Sequence, residues 1–130
     1  MTTLVDTNVL IRHLTGDPPD LASRATAYLA TDETLVLPDL ILAEVVYVLE
    51  SFYEVPRNRV AELARSIITF GSIQTVDAGL LLRAVEVYEV HRIDFSDAYL
   101  VALAETAGVG DIASFDRAID RVPTVNRIEP

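Results

Sequence analysis

The feature that most restricts the fold of this chain is a regular alternation. Five short β-type runs, at residues 3–5, 34–37, 73–76, 111–113 and 124–128, are each separated from the next by helical stretches. A helix between two strands carries the chain back to the same end of the sheet, so such strands pair in parallel. The expected fold is a three-layer α/β/α sandwich around a mainly parallel sheet, as one domain over residues 1–130.

Local signals place the helices. Asn8 to Leu14 reads as a short helix, and Gly16-Asp17-Pro18-Pro19 as a turn before a helix from Asp20 to Ala30. Asp39 is a good N-cap for a helix running to Tyr53. Asn58 to Phe70 is amphipathic and closed by Gly71, and Asp77 caps Ala78 to His91. Phe95 to Ala107 ends at Gly108, and Phe115 to Arg121 reads as a last helix. In open parallel sheets, sites lie beyond the carboxyl ends of the strands. Asp6 ends the first strand and Asp116 follows the fourth, so both are expected at one rim.

Composition then excludes chemistry. At 51% hydrophobic, the 130 residues can bury a sizeable core. The chain has no cysteine, which removes thiol nucleophiles and cysteine zinc sites. All ten basic residues are arginine, which removes a P-loop lysine and Schiff-base chemistry. The longest apolar tract, Leu40 to Leu49, is broken by Glu44 and is short of the ~20 residues a membrane span needs. Asp6 sits where the apolar part of a secretory signal would lie, so a soluble cytoplasmic protein is expected. The two histidines, His13 and His91, stand beside Arg12 and Arg92. They read as surface groups rather than as an acid–base pair for RNA cleavage. The net charge of −10 argues against broad electrostatic capture of nucleic acid and points to a basic partner.

Five acids stand out from their surroundings. Asp6 lies in Leu4-Val5-Asp6-Thr7-Asn8-Val9-Leu10, where a helix cap is the simple reading. Glu44 is the sole charge in Leu40 to Leu49. A helix apolar all round is buried, so this carboxylate is expected inside, needing a cation, a proton or an arginine. Asp94 and Asp97 are three apart and share a helix face, although a capping pair would look the same. Asp116 follows Ser114-Phe115, where Ser114 is the expected cap. Taken together, acids gathered at one rim repel each other unless cations sit among them. Oxygen-only ligands suit Mg²⁺ or Mn²⁺. Such ions bridge phosphate oxygens and lower the pKa of a water.

Val5-Asp6-Thr7-Asn8-Val9-Leu10-Ile11 resembles the opening motif of PIN-domain nucleases. Glu44 in an apolar helix after a proline resembles their second acid, Asp94-Phe95-Ser96-Asp97-Ala98 the third and Ser114-Phe115-Asp116 the fourth. The closing Pro123-Thr124-Val125 strand also fits, and the length is that of the VapC-type toxin branch. The resemblance implies a single-strand-specific endoribonuclease that uses Mg²⁺ or Mn²⁺ and belongs to a type II toxin–antitoxin pair. It implies that Asp6, Glu44, Asp97 and Asp116 are the catalytic, metal-binding acids. Thr7, Asn8, Asp94 and Ser114 would hold them from behind. It also implies a homodimer, a cognate antitoxin and an RNA substrate. Arg12, Arg24 and Arg92 are the basic residues placed to meet phosphate, with plain surface arginines as the simpler reading.

Two other families begin with a strand and an aspartate. A haloacid-dehalogenase-type phosphatase needs a second aspartate where this chain has Asn8, and a lysine. A response-regulator receiver needs the same lysine and an acidic pair at the first strand. A non-catalytic acidic adaptor for a basic protein is the alternative, and a buried Glu44 would count against it.

Overall fold

The computed structural model describes residues 2–31 and 33–130. β1 (Thr2–Leu4) pairs in parallel with β2 (Thr34–Val36), in the register Thr2↔Thr34 and Leu4↔Val36. β2 pairs in parallel with β3 (Ile73–Gln74), matching Leu35 with Ile73. Each crossover is made by two helices. α1 (Thr7–Thr15) and α2 (Pro19–Leu29) join the first pair; α3 (Asp39–Ser51) and α4 (Arg57–Ile68) join the second. α1 ends at Gly16, whose left-handed φ of 70° lets its N–H cap the carbonyl of Arg12. Leu10, Leu29, Leu35, Leu42, Leu49 and Ile67 are fully enclosed and form the core of this part of the chain.

That first unit spans Met1–Ala78; a second compact unit spans Gly79–Pro130. The second carries α5 (Ala78–His91), which begins at its border, and α6 (Phe95–Ala107). β4 (Asp111–Ala113) and β5 (Asn126–Ile128) then pair in parallel. A 3₁₀ turn, Arg117–Arg121, lies between them. Leu81, Val85, Tyr88, Ile93, Val101 and Ile119 fill this unit's core. Arg83 on α5 donates to both oxygens of Glu105 on α6, at 2.8 and 2.9 Å.

The α/β class with parallel strands is the one expected, with the hydrogen-bonded ladder falling into sheets of three and two strands. Three local expectations change. Asp39 is the first residue of α3, and Pro38 occupies the cap position. Proline's fixed φ suits the residue that turns the chain into a helix, and Asp39 faces the positive end from inside. The last helix is a short 3₁₀ turn starting two residues later than Phe115, and Asp116, not Ser114, caps it. The third strand stops at Gln74. No helix of the described residues is long and apolar enough to cross a membrane.

Candidate active site

In the second unit, the turn after α5 places Asp94 at the start of α6, where its side chain makes no capping bond. Three residues on, Asp97 points from the same face of the first helical turn. Asp116 leaves the carboxyl end of β4. Carboxylate oxygens of Asp94, Asp97 and Asp116 all lie within 4.8 Å of one another. Asp94, expected only to support the other acids, thus stands as close as they do.

The Asp116 turn is tied from several sides. The Asp116 N–H donates to Ser114 Oγ at 2.9 Å, and Asp116 Oδ1 accepts from the Ala118 N–H at 2.9 Å. Arg127 reaches over from β5. It donates to the Ser114 carbonyl at 3.0 Å and grips both Asp120 oxygens at 3.0 and 3.2 Å. Arg121 donates to the Arg92 carbonyl at 2.7 Å, linking the 3₁₀ turn to the bend just before Asp94. Arg92 itself has a left-handed φ of 56°, so that bond holds a backbone shape a side-chain-bearing residue seldom adopts. Sequence reading missed Arg121 and Arg127. An arginine in a short strand or turn carries no local signal of what it grips.

Electrostatics follow from this crowding. Asp97 is pushed up to about 6, first by burial, then by its hydrogen bond to Asp116 and repulsion from Asp116 and Asp94. Asp116 is held below the usual carboxylate range, first by the Ala118 N–H, then by Asp97, with Arg121 and Arg127 adding positive charge. The two carboxyls therefore share a proton below about 6, and above that both are charged and repel. Among the described residues, no arginine comes within ion-pairing distance of the three acids. Three facing oxygen donors without a protein cation are the donor set of a hard divalent ion such as Mg²⁺ or Mn²⁺.

The first unit holds the other two acids. Asp6 caps α1, its Oδ1 accepting from the Thr7 N–H at 2.8 Å, and its carboxylate is exposed. Glu44 lines a small cavity of about 240 Å³ with Thr7, Asn8, Arg12 and Tyr53. The Thr7 hydroxyl is buried there without a hydrogen-bond partner among the described residues. Glu44 itself is exposed, which corrects the expectation of a buried carboxylate. α3 packs through Leu42, Val45, Val46 and Leu49; the stripe at Leu40, Glu44, Tyr47 and Ser51 stays open. His13 is also more structural than expected. It shares a 2.8 Å hydrogen bond with Thr26 and meets Phe70 edge-on, and burial lowers its pKa.

The family model for the PIN domain matches residues 3–125. The chain belongs to the PIN-domain family. This PIN domain is 24% identical, over 131 residues and 97% of each chain, to a VapC ribonuclease of Aquifex aeolicus (strain VF5). A solved structure of Mycobacterium tuberculosis VapC20, described as a sarcin–ricin-loop-cleaving toxin, is 20% identical to it. That likeness covers 92% of the PIN domain and 93% of the other chain, with a TM-score of 0.42.

Proposed function

We propose that this PIN domain is a Mg²⁺- or Mn²⁺-dependent endoribonuclease, the toxin of a type II toxin–antitoxin pair. In this reading Asp6, Glu44, Asp97 and Asp116 are the working acids, with Asp94 beside them and RNA as substrate. A cognate antitoxin and a homodimer belong to the same reading, which draws on the family. The observation that carries it is the mutual approach of Asp94, Asp97 and Asp116 with no arginine among them.

Within the site, Asp97 and Asp116 would hold the ion, and the Ser114 and Ala118 contacts keep Asp116 aimed. A divalent cation bound there supplies positive charge to phosphate oxygens and lowers the pKa of a water beside it. Asp94 adds a third oxygen donor from the same helix end. Asp6 is fixed by the start of α1, and Asn8 lies in the first turn of that helix. The Thr7 hydroxyl, buried beside the Glu44 cavity, is the group available to hold a carboxylate there.

The acidic-adaptor reading regains some ground, because Glu44 is exposed and no longer argues against it. The triad still favours an enzyme. Three carboxylates with oxygens within 4.8 Å of one another repel unless a cation sits among them, and an adaptor surface has no need of that crowding. The test is cleavage of single-stranded RNA with Mn²⁺ and with a chelator. Metal-dependent products with 5′-phosphate and 3′-hydroxyl ends are expected, and they should vanish in Asp97→Asn. Cyclic phosphate ends formed in chelator would overturn the mechanism. Stoichiometric Mn²⁺ binding, lost in Asp6→Asn, separates the enzyme from the adaptor.

A further inference from the structure

We propose that the cleft between α1 and α2 is a subsite for single-stranded RNA, where Arg12 and Arg24 hold backbone phosphate and Tyr28 stacks a base. The proposal rests on the ribonuclease reading and extends it to the residues that hold the strand.

The cleft measures about 520 Å³, and ligand sites commonly run ~300–1,000 Å³. Each helix contributes a pair four residues apart, hence on one face: Asn8 with Arg12 on α1, and Arg24 with Tyr28 on α2. Val9 and Leu21 supply apolar walls. Two guanidinium groups, a carboxamide and an accessible aromatic ring over an apolar wall match the parts of a nucleotide. Guanidinium binds phosphate through paired donors, the amide reads a base edge or sugar hydroxyl, and the ring stacks.

Location singles out these arginines. Arg59, Arg83 and Arg127 are neutralised by carboxylates, by Glu62, by Glu86 and Glu105, and by Asp120 and Glu129. Arg92, Arg117 and Arg121 pair with no carboxylate among the described residues, but Arg12 and Arg24 share one cleft. Arg24 makes no hydrogen bond or ion pair among the described residues. Arg12 is bonded to the backbone carbonyl of Asp17 at 3.2 Å, which leaves its charge uncompensated. Both face one cleft in a chain whose net charge is −10. Position decides between RNA and a polypeptide. Asn8 and Arg12 also line the Glu44 cavity, so the cleft adjoins the Asp6–Glu44 side of the first unit. A strand lying over those acids continues into it without leaving the surface.

The number of phosphates held is small, which gives a quantitative test. Full-length Asp97→Asn protein, kept in Mg²⁺, is titrated against a short 5′-fluorescein single-stranded RNA by anisotropy over a range of salt. Two phosphates on a single strand give a slope of log affinity against log salt of about −1.4. Adding Arg24→Gln should weaken binding about tenfold, as for one charge-assisted contact. It should also make the slope shallower by about 0.7. Tyr28→Ala should weaken binding about tenfold by lost stacking while leaving the slope alone. Arg24→Lys should keep the slope, and Tyr28→Phe should keep the affinity. Unchanged affinity and slope in both Arg24→Gln and Tyr28→Ala would overturn the subsite, while Mn²⁺-dependent cleavage by the wild type kept the ribonuclease reading. Those variants binding RNA normally but losing a protein partner would give the cleft to a polypeptide and overturn the proposal too. A wild type that neither cleaves nor binds RNA would remove both readings together.

Discussion

A carboxyl that titrates at about 6 in the folded chain, as Asp97 does, binds its proton more tightly than the same group in an unfolded chain, where the value is about 4. Between those values the folded state holds more protons, so metal-free stability falls as pH rises through the window. The penalty is complete above it. Asp116 has the opposite shift, and its contribution is lost only as pH falls below the ordinary carboxylate range. Asp97→Asn should therefore melt higher than wild type at neutral pH in chelator and show a flatter pH dependence, while cleavage is abolished. Mn²⁺ should raise the wild-type melting temperature more than the variant's. A variant less stable than wild type at both mildly acid and neutral pH would contradict the crowding argument. Glu44 gives a second case. Being exposed, it should tolerate Glu44→Gln within about 0.5 kcal/mol of wild-type stability, as surface changes do. The proposed role predicts loss of cleavage all the same; full activity would remove Glu44 from the site. Glu44 also marks a limit of sequence reading. Its importance was legible as the one charge in an apolar tract. Its exposure was not, because Leu40 and Tyr47 are apolar yet open, and hydrophobicity alone cannot say which helix stripe packs.

Among elements, the Asp116 turn depends on a clamp from a neighbouring strand. Arg127 on β5 bonds the Ser114 carbonyl on one side of Asp116 and Asp120 on the other. Groups that orient metal ligands typically matter about 10- to 100-fold in metal affinity. Arg127→Gln should weaken Mn²⁺ binding by that order, measured by titration calorimetry, and lower the melting temperature. Arg127→Lys should not restore it, because a lysine cannot span both Asp120 oxygens. Arg59→Gln, at an exposed pair on α4, should leave Mn²⁺ affinity unchanged. Equal losses in both variants would mean a general effect of removing arginine. The elements themselves were read well where punctuation is strong. α6 begins and ends where expected, since Asp94 precedes it and Gly108, at φ 70°, supplies the left-handed residue that closes it. The segment after Ser114 was read as an ordinary helix because its residues suit one. It is a five-residue 3₁₀ turn instead, with Pro123 two residues beyond its end and Asp120 within it bonded to Arg127 of β5, a contact that local sequence does not display.

For the molecule as a whole, charge sets how a partner approaches. The net charge is −10, and three acids converge where, among the described residues, no arginine comes within ion-pairing distance. Such a site focuses negative potential, so a basic segment is drawn to it at salt-sensitive rates. A guanidinium is the best-suited group to fill it: it stays charged, is planar, and can bridge two carboxylates such as Asp97 and Asp116. The proposed antitoxin is then expected to inhibit by placing an arginine where a cation otherwise binds. Inhibitor and Mg²⁺ would compete, because both satisfy the same oxygens. The measurement is the affinity of the co-purified antitoxin as Mg²⁺ rises at constant ionic strength, which keeps general screening fixed. Wild type should bind more weakly as Mg²⁺ rises. Asp97→Asn should lose that dependence, since one of the contested carboxylates is gone. Binding indifferent to Mg²⁺ in both proteins would sink the competition model. The antitoxin would then dock away from the triad and block RNA by bulk alone.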